Sequence, residues 1–344
     1  MEHLKVFTNK DLAQLTNYRS GELKFGEKVQ LIPSGHSVTE FLSTNEAQFV
    51  LFGIPEDIGV QANGGRKGAA SAWKDTVKSI LNIQHNKFCK GSNLTILGYL
   101  DFQNEITMAA NLEINQPEHR KELHTLVSTI DKEVCHLVSI IVKSGKIPII
   151  IGGGHNNSYG NIKGSALAKG QKINAINLDA HTDFRALEGR HSGNGFSYAF
   201  DEGFLKKYFA FGLHENYNSK AIIEIFRKNE ESLQFNTYEE IKIRQTKRFS
   251  QELDDALAFI GDDYFGIELD LDSLPNIASS AMTSTGFSLE DARRFVDFFG
   301  RNENSIYLHI AEGAPNLAEE KSQHLVGKLI AYLITDFMKS KSDL

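Results

Sequence analysis

The fold of this 344-residue chain is decided by the stretch Ile176-Asn-Leu-Asp179-Ala-His181-Thr-Asp183-Phe-Arg185. The apolar run that leads into it, residues 173–178, predicts a buried strand. In an extended backbone the side chains at i, i+2 and i+4 point to one side, so two carboxylates and an imidazole share a face. Carboxylates that converge in a poorly solvated site repel one another unless a cation lies between them. Taken alone, the stretch leaves a metal site and a polar loop equally open.

Composition and charge restrict the class of protein. The net charge of -7 and the absence of a basic stripe argue against nucleic acid as a partner. The two cysteines, Cys89 and Cys135, form no C-x-x-C pair, so no disulfide framework is expected. The mixed, charged N-terminus is unlike a signal peptide, and the longest apolar runs are too short to span a membrane. We therefore expect a soluble, cytoplasmic protein with neither a nucleic-acid nor a membrane partner.

Predicted strands and helices alternate along the chain. The strands are predicted over residues 49–55, 94–101, 147–151, 173–178, 207–213, 264–270 and 306–310. The helices are predicted over residues 69–81, 117–144, 160–169, 221–229, 250–260 and 319–339. This alternation predicts a single-domain three-layer α/β/α sandwich around a central parallel sheet. Residues 1–45 have weak periodicity and are predicted to be an N-terminal extension, which leaves residues 46–344 for the domain.

Polar clusters also follow two other predicted strands. His155 comes after Gly152-Gly-Gly154 and the strand 147–151, and two aspartates end the strand 264–270. In open parallel sheets ligands bind beyond the carboxyl ends of the strands, so we expect these groups to converge. The expected metal ligands are His155, Asp179, His181, Asp183, Asp270 and Asp272.

The ligand types indicate which metal such a site would hold. Carboxylates and imidazoles without a thiolate suit Mn²⁺, with Zn²⁺, Fe²⁺ and Co²⁺ as alternatives. Four carboxylates exceed what one ion needs, so we expect two Mn²⁺ ions per subunit, about 3.5–4 Å apart and bridged by carboxylates. Such a pair lowers the pKa of a shared water and supplies a nucleophile near neutral pH.

Three motifs resemble those of the ureohydrolase family, which comprises arginases, agmatinases and formimidoylglutamases. The segments ending in His155, Asp183 and Asp272 are similar to its G-G-[DG]-H, D-A-H-x-D and S-x-D-x-D motifs. The resemblance runs from about residue 49 to the C-terminus. It implies the arginase-like fold, a two-manganese site and hydrolysis of a C–N bond in a guanidino or formimino group. It also implies a homo-oligomer, either a trimer or a hexamer.

Three residues are assigned to catalysis: Asp183, Glu312 and His191. Glu312 is similar in position to a family glutamate that binds the cationic group of the substrate, and a carboxylate can make two charge-assisted hydrogen bonds to an amidinium. The alternative for Glu312 is an acid at a helix N-terminus. Arginases have a proton-shuttling histidine at the position of Ser192, and His191 is one residue earlier. We assign His191 as the candidate proton donor and leave open that it takes no part.

The substrate assignment depends on two arginines, Arg185 and Arg190. Formimidoylglutamases resemble this chain in having G-G-G-H and an arginine after D-A-H-x-D-[FL], where arginases and agmatinases have an uncharged residue. Paired arginines suit an anionic amidine with two carboxylates, unless they form structural ion pairs instead. Ser192 and Asn194, in the same polar loop, are the other predicted substrate contacts. The resulting prediction is hydrolysis of N-formimidoyl-L-glutamate to L-glutamate and formamide, a reaction of histidine degradation.

Rival interpretations remain because three segments depart from the family pattern. These segments are Asn156-Asn157, Asn194-Gly195 in place of Thr-Pro, and residues 279–286 in place of P-G-T-G-T-P. The last segment normally borders the substrate, so the specificity can differ. The rivals are a guanidino hydrolase that releases urea, a catalytically silent metal-binding relative, and a single-zinc deacetylase of related fold.

Overall fold

The computed structural model describes residues 2–342, and its centre is a nine-stranded sheet. The strands are β1 (Leu4–Val6), β2 (Phe49–Gly53), β3 (Leu94–Leu100), β4 (Ile147–Ile151), β5 (Ile173–Leu178), β6 (Leu205–Leu213), β7 (Leu233–Thr237), β8 (Phe265–Asp270) and β9 (Ser305–Ala311). Their order across the sheet is β1-β3-β2-β4-β9-β8-β5-β6-β7. All neighbouring pairs are parallel except β1 with β3, which is antiparallel. The predicted central parallel sheet is confirmed, with one antiparallel strand added at its edge.

Helices cover both faces of the sheet. They are α1 (Asn9–Leu15), α2 (Val38–Thr44), α3 (Ile58–Ala62), α4 (Ala72–Leu81), α5 (Gln103–Ala109), α6 (Pro117–Lys143), α7 (Asn157–Lys169), α8 (Gly195–Asp201), α9 (Lys220–Lys228), α10 (Phe249–Ile260), α11 (Leu289–Gly300) and α12 (Gln323–Ser342). One hydrophobic core lies between the sheet and α4, α10, α11 and α12, and a second lies between the sheet and α2, α6, α7, α8 and α9. The predicted three-layer α/β/α sandwich is confirmed.

The apolar patterns explain these layers. Strand β5 is buried along its whole length, as expected for a strand covered by helices on both sides. Helix α6 begins with a proline and buries Leu123, Val127, Ile130 and Val134 at helical spacing, so one stripe of the helix faces the core. Among residues 2–342, no helix combines the length and apolar character needed to cross a membrane.

The N-terminal residues contribute to this sheet and its core. Strand β1 pairs with β3, and the side chain of Phe25 is fully buried. The division at residue 46 stays a prediction. Strand β7 and helix α11 are absent from the predicted elements. Strand β7 is short, and four of the residues in the first half of α11 are charged, so neither shows a clear apolar run.

The order of the strands determines where the polar clusters meet. Strands β4, β9, β8 and β5 are consecutive neighbours in the sheet. The three loops that carry the predicted metal ligands follow β4, β5 and β8, and the loop with Glu312 follows β9. Because the four strands are parallel, all these loops leave the sheet along one edge, which is formed by the carboxyl ends of the strands.

Candidate metal centre and substrate cavity

The loop between β4 and α7 brings His155 to this edge of the sheet. Its first two glycines, Gly152 and Gly153, adopt positive φ values of 81° and 73°, a conformation that suits glycine. A Cβ on Gly153 would lie 2.9 Å from a carboxylate oxygen of Glu56, so the close packing of this loop also requires glycine. The turn buries the imidazole of His155 completely.

Four of the predicted ligands form one compact cluster. The Nδ1 atom of His155 lies 2.9 Å from Asp183 Oδ2, 3.1 Å from Asp270 Oδ2 and 3.3 Å from Asp179 Oδ2. One ligand atom from each residue lies within 4.8 Å of the others. Burial and the neighbouring charge of Asp179 raise the pKa values of Asp183 and Asp270 above the usual aspartate range. A cation would offset this repulsion, so the cluster fits a metal ion.

The other two predicted ligands, His181 and Asp272, lie beside this cluster. His181 Nδ1 is 3.4 Å from Asp179 Oδ1, on the side of that carboxylate away from His155. Asp272 accepts hydrogen bonds from the Ala281 amide at 2.9 Å and the Ser280 hydroxyl at 3.3 Å. His181 and Asp272 also line the same cavity, together with Asp183 and Asp270. The six side chains are thus brought together, and their role as ligands stays a prediction.

The cavity beside the cluster has a volume of about 380 Å³. Its wall includes Asn63 and Gly65 from the loop after α3, and Ser280 and Ala281 from the segment after β8. The segment that departs from the family pattern therefore borders the cavity. Changes there can alter which substrate fits.

Glu312 also lines the cavity, with one carboxylate oxygen unused. Its Oε1 accepts the backbone N–H of His155 at 2.7 Å, whereas its buried Oε2 has no hydrogen-bond partner. Burial and the charge of Asp272 raise the pKa of Glu312 to about 8. The residue has a φ of 63°, a conformation that non-glycine residues seldom adopt outside functional sites. A cationic group beside Oε2 would restore the ionised carboxylate.

Arg185 and Ser192 line the same cavity. The Arg185 guanidinium donates to Asn63 Oδ1 at 2.6 Å and to Glu188 Oε1 at 2.7 Å, and about half of the side chain is exposed. These two bonds use only part of its donor capacity. The Ser192 hydroxyl accepts a hydrogen bond from the Asn63 amide at 3.1 Å. Among the described residues that line the cavity, Arg185 is the one arginine or lysine.

Arg190 and Asn194 make structural contacts and do not line this cavity, and their assignment to substrate binding stays a prediction. Arg190 is only 5% exposed and forms a two-point ion pair with Asp131 of helix α6. Its guanidinium also donates to the Asn194 side chain and to the Asn156 carbonyl oxygen. The Asn194 amide is fully buried and donates to the carbonyl oxygens of Ala186 and Gly189. Both side chains hold the loop between β5 and α8 and are absent from the lining of the cavity.

His191 is likewise absent from the lining of this cavity, and its assignment as proton donor stays a prediction. It lines a separate cavity of about 280 Å³ on the other side of Arg185. Its Nδ1 accepts the Gly193 amide N–H at 3.1 Å, so the ring proton is on Nε2, which lies 3.2 Å from Glu188 Oε1. Burial and the charge of Arg185 lower its pKa to about 4. A neutral imidazole that lines another cavity does not favour proton donation at the metal cluster.

The structure also explains the unexpected Asn156-Asn157. Both amide groups donate to Oε1 of the buried Glu56, at 3.1 Å and 2.7 Å. The other oxygen of Glu56 accepts the Ile58 amide N–H at 2.8 Å. Glu56 therefore fastens the loop that carries His155 to the loop after β2. This role could not be predicted from the sequence, because the partners of Glu56 are about 100 residues away along the chain.

Glu268 is a second residue that the sequence analysis missed. It is fully buried, two residues before Asp270 on β8, and contacts His155 Nε2 at 3.3 Å. In an extended strand the side chains alternate between two faces, which puts Asp179 and Asp183 on one face. The same alternation puts Glu268 on the face of Asp270, so the sequence contained a pattern that predicts Glu268 at the site.

Comparisons with known proteins agree with this geometry. The chain is similar to a curated formimidoylglutamase of Streptococcus gordonii, with 29% identity over 249 residues that cover 68% of this chain and 69% of that protein. The crystal structure of formimidoylglutamase from Bacillus subtilis superposes with a TM-score of 0.73 at 18% identity, covering 95% of this chain and 94% of that one. Trypanosoma cruzi formiminoglutamase, crystallised with Mn²⁺, gives a TM-score of 0.69 at 20% identity and covers 93% and 98% of the two chains. The two solved structures establish the likeness in fold.

The model of the arginase family matches residues 47–335, which is most of the chain. These residues contain the whole sheet except β1, and all four strands whose ends form the site. The match therefore agrees with the resemblance that the three motifs indicated. This chain belongs to the arginase family.

Proposed function

We propose that this protein is a manganese-dependent hydrolase that converts N-formimidoyl-L-glutamate and water into L-glutamate and formamide. One observation carries the proposal: a single cavity is lined both by Glu312, whose Oε2 has no hydrogen-bond partner, and by Arg185. A substrate with an amidinium at one end and carboxylates at the other would complement both groups. Arginine has a single carboxylate and agmatine has none.

The His155–Asp179–Asp183–Asp270 cluster and the neighbouring His181 and Asp272 would hold the two Mn²⁺ ions. Bound there, the ions would supply a nucleophilic water and stabilise developing negative charge. The similarity to the Trypanosoma cruzi protein, which was crystallised with Mn²⁺, supports this choice of metal.

The chain's own residues would orient the substrate and move the proton. Glu312 would accept hydrogen bonds from the formimino group through Oε2, and Arg185 would bind a carboxylate of the glutamate part. Asp183 lines the cavity, where its carboxylate would accept a proton from the attacking water. The same proton can then pass to the glutamate nitrogen as its bond to the formimino carbon breaks. This scheme needs no contribution from His191.

The test is a substrate panel with added Mn²⁺ that compares formimidoylglutamate, arginine, agmatine and guanidinobutyrate. We expect formamide from the first compound and no urea from the others. Release of urea would indicate a guanidino hydrolase, and bound Mn²⁺ without turnover of any compound would indicate a silent relative. Asp179→Ala should abolish turnover, since Asp179 lies between His155 and His181. Full activity in that variant, or in metal-free protein, would contradict the proposal.

Arg185→Gln tests the substrate assignment more directly. Loss of a charge-assisted pair should raise the KM for formimidoylglutamate about tenfold to a hundredfold. The matched control is Arg301→Gln, which removes an exposed arginine that is paired with Asp297. Arg301 lies shortly before the start of β9, whereas the site lies beyond the carboxyl end of that strand. The control should keep the KM of the unmodified protein. Equal KM values for the two variants would rule out Arg185 as the carboxylate-binding group.

A further inference from the structure

A row of polar side chains crosses the sheet directly beneath the metal cluster. Asn177 on β5 is the register partner of Glu268 on β8, which is the register partner of His309 on β9. All three side chains are fully buried. Asp179 comes two residues after Asn177, directly beyond the end of β5, and Asp270 comes two residues after Glu268 at the end of β8, so both lie on the same face as this row. Strands buried in parallel sheets are normally apolar, so three adjacent polar residues indicate a function.

The Glu268 carboxylate is the centre of this row. Its Oε2 lies 2.5 Å from His309 Nδ1 and 3.3 Å from His155 Nε2, and its Oε1 accepts the Tyr307 hydroxyl at 2.8 Å. His309 Nε2 in turn faces the Gly152 carbonyl oxygen at 3.3 Å. Both carboxylate oxygens thus have donors, which stabilises a charge with no access to water.

These contacts determine which nitrogen of the His155 ring faces the metal cluster. Its Nε2 faces Glu268, and its Nδ1 faces Asp179, Asp183 and Asp270. A proton on Nε2 that is donated to Glu268 leaves the lone pair of Nδ1 directed at the cluster. The neighbouring Asn177 acts similarly on Asp179, because its amide donates to Asp179 Oδ2 at 3.1 Å.

A separate ion site is the rival explanation, because ligand atoms of His155, Glu268 and His309 lie within 4.8 Å of one another. The distances argue against it. Ligand bonds to such an ion are about 2.1 Å long, which keeps ligand atoms roughly 3 Å or more apart. The 2.5 Å separation between Glu268 Oε2 and His309 Nδ1 is that of a short hydrogen bond instead.

We infer that Glu268 is a positioning residue of the metal centre. It accepts the Nε2–H of His155 through Oε2 and fixes the ring so that Nδ1 binds the ion, while His309 fixes that same carboxylate oxygen. The inference rests on the proposed two-manganese site and adds a residue outside its ligand set.

The experiment is a Mn²⁺ titration of the full-length, metal-free protein, in which electron paramagnetic resonance measures free Mn²⁺ and the coupled signal of the bound pair. The unmodified protein should bind two ions. Glu268→Gln should bind one of them about 10- to 100-fold more weakly and keep the affinity for the other, because His155 contacts only one part of the ligand set. The matched control is Tyr307→Phe, which removes a donor to Oε1 and leaves both histidine contacts. It should keep both affinities within about threefold.

Circular dichroism and thermal unfolding of the metal-free variants show whether they fold. If Glu268→Gln does not fold, His309→Gln replaces it, and the same ion should bind more weakly because the carboxylate has lost a fixing donor. Two ions bound with unchanged affinity in the folded variant would overturn this inference and leave the metal centre intact. Three ions in the unmodified protein, with only the third lost in Glu268→Gln, would establish a separate ion site and also overturn it. No bound Mn²⁺ in the unmodified protein would overturn the metal centre and this inference together.

Discussion

Arg190 and Asp131 form a buried two-point ion pair, with Nε 2.9 Å from Oδ2 and Nη2 3.2 Å from Oδ1. The guanidinium also lies against the rings of Tyr159 and Tyr198, at 4.9 Å and 5.0 Å from their centroids. The pair joins the loop after β5 to helix α6. The guanidinium of Arg190, a predicted substrate contact, thus stabilises the loop that forms part of the cavity wall.

Arg190→Gln should therefore reduce stability before it affects substrate binding. Removing one partner leaves the buried Asp131 carboxylate without its counter-charge, which costs about 3–5 kcal/mol of unfolding free energy. Urea unfolding of the metal-free protein measures this loss. The double variant Asp131→Asn with Arg190→Gln should recover part of it. A variant with unchanged stability and a raised KM would show that Arg190 contacts the substrate after all.

Acid should destabilise the fold through His191. Burial and the charge of Arg185 lower its pKa from the usual 6.5 to about 4, so the unfolded chain binds more protons between these values. Stability is then fully present above pH 6.5 and is lost as the pH falls towards 4. At pH 5 the loss attributable to His191 is about 2 kcal/mol.

His191→Gln removes this contribution, because the variant lacks the imidazole, while the charge of Arg185 still lowers the pKa of the neighbouring Glu188. Unfolding free energies measured at pH 7 and pH 5 should fall less in the variant than in the unmodified protein. The same decrease in both would mean that His191 titrates normally.

Glu312→Gln should impair catalysis and leave metal binding intact. The amide keeps the shape of the side chain and can still accept the His155 amide N–H, but it has no charge for an amidinium. We expect kcat/KM to fall about 100-fold or more, by analogy with the loss of other groups that stabilise the transition state. Steady-state kinetics and the manganese content measure the two effects separately. Normal kcat/KM would remove Glu312 from the mechanism, and loss of manganese would make it a ligand.

Glu56→Ala should destabilise the loop that carries His155. The buried amides of Asn156 and Asn157 would lose their shared acceptor, at a cost of about 1–3 kcal/mol for each donor left unpaired. Thermal unfolding of the metal-free protein measures the total effect. The exposed Glu231→Ala is a control for loss of a glutamate at the surface and should be close to neutral. If both variants unfold at the temperature of the unmodified protein, Glu56 does not hold the loop.

Much of the site could be predicted from the sequence because the relevant rules are local. An apolar run predicts a strand, and strict alternation places Asp179 and Asp183 on one side of the chain. The carboxyl ends of parallel strands share an edge, which brought His155 and Asp270 to the same place without knowledge of the strand order. Glu268 was within reach of the same rule, two residues before Asp270.

Tertiary structure alone decided which polar residues face the cavity. Arg185 and Arg190 are five residues apart in one polar loop, and their sequence context does not distinguish them. Arg190 forms an ion pair with Asp131, which lies 59 residues away on helix α6, whereas Arg185 lines the cavity. In the same way, the hydrogen-bond partners of Glu56 lie about 100 residues further along the chain. The sequence by itself determined the strands and the residues at their ends, because backbone geometry acts over a few residues. Partner choice among buried charges depended on which helices and loops pack together, and that is a property of the whole fold.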